Sequence, residues 1–136
     1  MISGLRHVSI VVPDLEAAAA RLQALYGLCI GEVMTNEQQG VRLAYVDLGN
    51  ARIELMEPLR EDSPVARFLA RNPGGGIHHF SLAVDSLDAA ARALATRGVS
   101  VLGDGTAQHN VHGERIAFVH PKDFIGALVE LEEHAS

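Results

Sequence analysis

The 136-residue chain reads as an α+β protein of two tandem βαβββ modules. An internal repeat points there, together with a switch from strand to helix periodicity inside each copy and glycine- or proline-marked joins at matching places. Writing Leu5–Gly27 above Ile77–Val99, at a constant offset of 72, aligns eight identical pairs: His7/His79, Ser9/Ser81, Val12/Val84, Leu15/Leu87, Ala17/Ala89, Ala18/Ala90, Ala19/Ala91 and Leu22/Leu94. Alanine-rich amphipathic helices resemble one another by composition, but that does not account for the His-x-Ser strand ahead of each. Duplication does.

Each copy begins with an alternating strand. Asp14 and Ser86 are then placed as helix N-caps, an apolar-striped helix follows, and Gly27 and Gly98 end it. Strands are expected near Cys29–Met34, Val41–Asp47 and Ala51–Met56, with Leu48-Gly49-Asn50 as a tight turn. In the second copy they fall near Ser100–Leu102, Arg115–Val119 and Ala127–Glu132, with a polar loop from Gly103 to Gly113. Between the copies, Ser63 as N-cap and Pro64 at the first helical position start a linker helix over Val65–Asn72. Pro73 and Gly74-Gly75-Gly76 stop it. Neither half buries its sheet face alone, so residues 1–136 are expected as one domain: module one about 4–57, linker helix about 63–72, module two about 76–134. Their sheets should curve together into a partly open, barrel-like sheet around a shared cleft.

Composition narrows the function classes. The net charge is −6 and the basic residues are dispersed, which leaves nothing to neutralise a run of phosphates; aromatics are 4% with no Trp, so base-stacking platforms are lacking too. Nucleic acid is therefore not an expected partner. No apolar run approaches the roughly 20 residues of a membrane span and no secretory signal opens the chain, which makes the cytoplasm the default expectation. The single cysteine, Cys29, lies in an apolar segment and reads as buried filler.

Alternation along the first strand puts Val8, Ile10 and Val12 on the face that meets the helix, and His7, Ser9 and Val11 on the other. By the same logic Phe80, Leu82 and Val84 lie under the second helix and His79 faces the cleft. The last strand of each module carries an acid between aliphatic residues, Ile53-Glu54-Leu55 and Val129-Glu130-Leu131, again turned away from the helix. Two His and two Glu thus occupy repeat-related positions. A lone His or Glu would more simply satisfy a local hydrogen bond, but the paired set His7, Glu54, His79 and Glu130 points to a divalent ion. Mixed nitrogen and oxygen donors suit zinc, cobalt, nickel, manganese or iron, and four protein ligands leave positions open on a six-coordinate ion for catalysis.

The remaining histidines carry less. His78 reads as structural or at the sheet rim, and His109 has no assigned role. His112, in the polar loop, reads equally as a substrate contact or a solvated residue. His120 begins a His-Pro-Lys-Asp turn in which Lys122, the only lysine, is either a surface residue or an anchor for an anionic substrate tail.

The segments His7–Leu15, Gln39-Gly40-Val41, Ile53–Leu59, Asp62–Ala66, Gly75–His79, His112-Gly113, His120–Asp123 and Leu128–Leu131 resemble the vicinal oxygen chelate (glyoxalase/bleomycin resistance) superfamily. Within it the chain looks like the methylmalonyl-CoA epimerase family over nearly its whole length. The resemblance implies a metal-dependent isomerase that interconverts (2R)- and (2S)-methylmalonyl-CoA by removing the α-proton through an enolate. It implies His7, Glu54, His79 and Glu130 as metal ligands, with Glu130 also the catalytic acid/base, an acyl-CoA substrate, and a homodimer, for which the number of apolar module faces also speaks. A glyoxalase-like isomerase or lyase acting on a thiol adduct, or a non-catalytic small-molecule binder of the same fold, are the competing readings. Two positions depart from the pattern. Leu43 stands where some members carry a second catalytic glutamate, and Phe124-Ile125 stands where small residues are usual.

Overall fold

The computed structural model describes residues 1–103 and 108–134. Part of the loop expected over Gly103–Gly113, residues 104–107, lies outside the described residues. The elements are β1 (Ile2–Val11), α1 (Leu15–Tyr26), β2 (Met34–Asn36), β3 (Val41–Asp47), β4 (Arg52–Pro58), α2 (Pro64–Arg71), β5 (Gly76–Val84), α3 (Leu87–Ala95), β6 (Gln108–His109), β7 (Arg115–Val119), a 3-10 turn (Pro121–Asp123) and β8 (Val129–Glu133). This is the α+β, βαβββ order twice over. The chain forms two compact units, one of His7–His78, the other of Met1–Arg6 together with the chain from His79 onward.

In the His7–His78 unit, β1 runs parallel to β4 from His7↔Arg52 to Val11↔Met56, while β4 pairs antiparallel with β3 and β3 with β2. Helix α1 covers one face, where Leu15, Ala44 and Leu55 are buried with Ile10, Val12, Leu22 and Ile53 packed around them. Burying Leu15 and Leu55 contributes roughly 1.5–3 kcal/mol each. The helix starts where expected: the Asp14 carboxylate accepts from the Ala17 N–H at 3.0 Å, and Glu57 from the end of β4 accepts from the Leu15 N–H at 3.0 Å. Gly27, at φ +67, ends it with its N–H on the Gln23 carbonyl.

The second unit repeats the plan. β5 pairs parallel with β8 from Phe80↔Val129 to Val84↔Glu133, β8 antiparallel with β7, and β7 with β6. Ser86 caps α3 by accepting from the Ala89 N–H at 3.2 Å, and Glu133 accepts from the Leu87 N–H at 2.8 Å, as Glu57 does in the first copy. Val84, Leu87, Ala90, Val119, Val129 and Leu131 form its helix-side core. Each copy also ties its helix to its sheet by an arginine on the second-last strand. Arg42 bridges Glu16 and Glu57, and Arg115 bridges Asp88 and Glu133.

Four local expectations are corrected. Of the segment expected at Cys29–Met34 only Met34 is in a strand, and Ser100–Leu102 is not one; among the described residues, 29–33 and 100–102 each meet the neighbouring strand through one backbone bond, Gly31 N–H to Tyr45 O at 2.9 Å and Leu102 N–H to Phe118 O at 2.7 Å. The outermost strands come later, at Met34–Asn36 and Gln108–His109. Because its segment stays outside the ladder, Cys29 is exposed rather than buried. Helix α3 stops at Ala95 with Thr96 as C-cap, two residues ahead of Gly98, which at φ +81 turns the chain away. Ser63 occupies the N-cap position of α2, yet its buried hydroxyl makes no cap hydrogen bond and packs beneath Gly40 instead.

Candidate metal centre

On β1 the alternation predicted from sequence holds, and the face away from α1 is the more deeply buried one: His7 is 1% exposed, Ser9 and Val11 0%. Cross-strand register brings Glu54 opposite Ser9 and Tyr45 opposite Glu54, so these side chains share that face. His7 Nε2 lies 3.6 Å from Glu54 Oε1. The Tyr45 ring packs edge-on against the His7 ring, centroids 5.9 Å apart, and Arg52 stacks over Tyr45 at 4.3 Å. Ser9 Oγ donates to Glu54 Oε1 at 2.5 Å, which fixes one carboxylate oxygen.

The second unit builds the same pair independently. His79 Nε2 lies 3.7 Å from Glu130 Oε2, both residues about 5% exposed. Phe118, directly opposite Glu130 on β7, packs edge-on against His79 with centroids 5.3 Å apart, in the role of Tyr45. Each histidine is thus steadied by an aromatic from the strand that faces its glutamate.

A His nitrogen and a carboxylate oxygen 3.6–3.7 Å apart are too distant for a good hydrogen bond. Two donors each about 2.1 Å from one ion lie roughly 3.0–3.4 Å from each other, so a shift of a few tenths of an ångström brings either pair onto a divalent ion. The donor set fits such an ion, and these buried His and Glu side chains could hold one.

Serine use then diverges between the copies. Ser81 also sits opposite Glu130, but its hydroxyl is directed at Glu132 Oε2, 3.4 Å away. Glu132 is completely buried two residues beyond Glu130, and Arg6 Nε donates to it at 2.8 Å. Burial would raise the neighbouring Glu114 carboxyl; hydrogen bonds with Asn110, His134 and Glu132, and the nearby Arg6 charge, instead hold it at about 2. Sequence reasoning singled out neither Arg6 nor Glu132. The signal was alternation, which places an acid at 132 on the face of Glu130, and which Met56 interrupts at the corresponding position of the first copy.

The other candidates separate clearly. Leu43 is buried on the ligand-bearing face, opposite Met56 and two residues from Tyr45, so an apolar side chain occupies that place. His78 packs on Phe68 at 5.2 Å, and burial lowers its pKa. His109 is exposed on β6, and His112 is exposed in a turn where the Asn110 side chain accepts from the backbone N–H groups of His112 and Glu114. His120 and Lys122 are exposed at the 3-10 turn. Phe124 packs edge-on against Phe80, whereas Ile125 is 97% exposed at φ +45. A β-branched residue in that region costs on the order of 1–3 kcal/mol.

Comparison with known proteins adds to this geometry. Residues 6–118 match the profile of the Glyoxalase/Bleomycin resistance protein/Dioxygenase superfamily. The chain is 47% identical over 133 residues to the ethylmalonyl-CoA/methylmalonyl-CoA epimerase of Cereibacter sphaeroides, covering 98% of this chain and 99% of that protein. Among solved structures it is similar to methylmalonyl-CoA epimerase from Mycobacterium tuberculosis, with TM-score 0.90, 38% identity, and 99% of this chain and 90% of that one covered. It is also similar to a methylmalonyl-CoA epimerase in complex with methylmalonyl-CoA and NH4+, with TM-score 0.88, 37% identity, and 100% and 97% covered.

Proposed function

The chain belongs to the glyoxalase/bleomycin resistance protein/dioxygenase superfamily, and from that membership we propose that it is a metal-dependent epimerase of 2-methylmalonyl-CoA, acting in the cytoplasm as a homodimer. The observation that carries the reading is the repeat-related His–Glu pairing, His7 with Glu54 and His79 with Glu130, in a chain nearly half identical to a named epimerase along its whole length. We take the two pairs together as the ligand set of one divalent ion. The lone cysteine accords with a reducing compartment.

The ion, when bound, supplies Lewis acidity at the thioester oxygen. This chain's residues do the rest. Glu130 takes the α-proton on a carboxylate oxygen from one face of the carbon, in a buried site where an unsolvated base is effective, and in the reverse direction gives a proton back to that same face. Ser9 occupies one oxygen of Glu54, which keeps that carboxylate in place as a ligand. Leu43 offers no proton, so return on the opposite face draws on a group other than residue 43, such as a bound water.

Racemic methylmalonyl-CoA in deuterated water should exchange its α-proton, and chelation should abolish exchange until cobalt, zinc, nickel or manganese is restored. Full exchange after complete metal removal overturns the reading. Turnover of a glutathione adduct instead would assign the chain to the glyoxalase-like class, and binding without exchange would make it a sequestering protein. Light scattering at micromolar concentration should give twice the chain mass; a monomer alone removes the dimer from the proposal.

A further inference from the structure

Resting on the epimerase reading, we propose that the Tyr45 hydroxyl is the second proton carrier, the group that meets the α-carbon on the face away from Glu130. Epimerisation needs such a group, because one base that takes and returns a proton on a single face leaves the configuration unchanged.

The strand ladder of the His7–His78 unit sets its position. Alternation turns Leu43 and Tyr45 to the same face of β3, and register puts Tyr45 directly opposite Glu54, whose carboxylate lies 3.6 Å from His7. The tyrosine is only 9% exposed, and its edge contact with the His7 ring, 5.9 Å between centroids, holds it beside the candidate ligands. Other protons on that face are spoken for. His7 is a ligand candidate, the Ser9 hydroxyl is given to Glu54 at 2.5 Å, and Val11, Leu43 and Met56 are apolar. Asp47, exposed at the end of β3, accepts from the Gly49 N–H at 2.8 Å, and the guanidinium of Arg52 does not give up a proton in proteins. The phenol is what remains.

The two copies divide the work. In the second, Phe118 takes the place of Tyr45, 5.3 Å from His79, and has no hydroxyl; its strand serine is directed at Glu132, and Glu130 carries the proton. In the first, the serine fixes the glutamate and the aromatic bears the hydroxyl. Each copy thus supplies a His–Glu pair and one proton carrier, a carboxylate from one and a phenol from the other. Arg52, 4.3 Å over the Tyr45 ring, stabilises the negative charge that the phenol acquires.

The step balances. Glu130 takes the α-proton, and the electron pair of that C–H bond passes into the enolate. Tyr45 gives its hydroxyl proton to the other face of the same carbon; the enolate pair forms the new C–H bond, the thioester carbonyl returns, and a phenolate is left. After product departs, solvent carries the proton from Glu130 to the phenolate, which restores both groups.

The test incubates each epimer of methylmalonyl-CoA separately in deuterated water with cobalt-saturated wild type and Tyr45→Phe. Deuterium uptake at the α-carbon and conversion to the other epimer are followed together. Wild type should convert both. Tyr45→Phe should convert either one roughly a hundredfold more slowly, yet the epimer whose proton faces Glu130 should still take up deuterium with retained configuration, and the other should not. General damage to the site lowers uptake by both epimers alike; that result overturns the role, as does conversion by Tyr45→Phe at the wild-type rate. Calorimetric titration of the metal-free chains with cobalt should give equal affinities, and weaker binding by Tyr45→Phe would make the tyrosine a support for His7 instead. If wild type neither labels nor converts either epimer, the epimerase reading fails and the proposal with it; a failure confined to the variant's labelling pattern leaves that reading standing.

Discussion

Ser9 shows what one hydroxyl does for a carboxylate: with Oε1 of Glu54 held at 2.5 Å, that residue is pinned in place. Glu130 has the corresponding serine turned to Glu132 instead. The two glutamates should therefore answer differently to the same substitution. Glu130→Gln preserves size and an oxygen donor but cannot accept a proton at neutral pH, so exchange should fall roughly a hundredfold while metal stays largely bound. Glu54→Gln should mainly weaken metal affinity, and excess ion should recover its activity. Wild-type exchange by metal-saturated Glu130→Gln would place the base elsewhere. The four ligand candidates were legible in sequence because they repeat and because alternation assigns them a face. Tyr45, Phe118 and the divergent serine bonds were not, since they depend on cross-strand register, which local pattern does not encode.

At the scale of elements, helices and central strands were readable because caps, periodicity and turn residues all agreed. The outer strands at Met34–Asn36 and Gln108–His109 were misplaced because apolar segments that touch a sheet through one backbone bond look like strands in a sequence. Gly75 marks a join whose reason is steric. It sits at φ +86, and a Cβ there would meet the Val11 carbonyl oxygen at 2.4 Å, inside the same unit. Gly75→Ala should cost roughly 2–4 kcal/mol, read as a lowered midpoint in urea with unchanged slope. Glycine tolerates that approach; alanine forces the end of β1 and the start of β5 to shift.

The molecule as a whole carries net charge −6, yet its acid sensitivity should concentrate in the unit that contains Glu114. A carboxyl held at about 2 in the fold and near 4.5 when unfolded stabilises fully above pH 5, and that contribution is lost as pH falls from there toward 2. Thermal midpoints followed from pH 6 to 2.5 should decline more steeply for wild type than for Glu114→Gln, which lacks the titrating group. The duplication is also uneven. Ser9 and Ser81 hold equivalent places in the two copies, opposite Glu54 and Glu130, and so do Met56 and Glu132, each two residues further along the last strand. A buried acid in only one copy, with the strand serine directed toward it, means that the halves are not interchangeable: the serine of the first copy holds the glutamate opposite it, and the serine of the second serves a different acid.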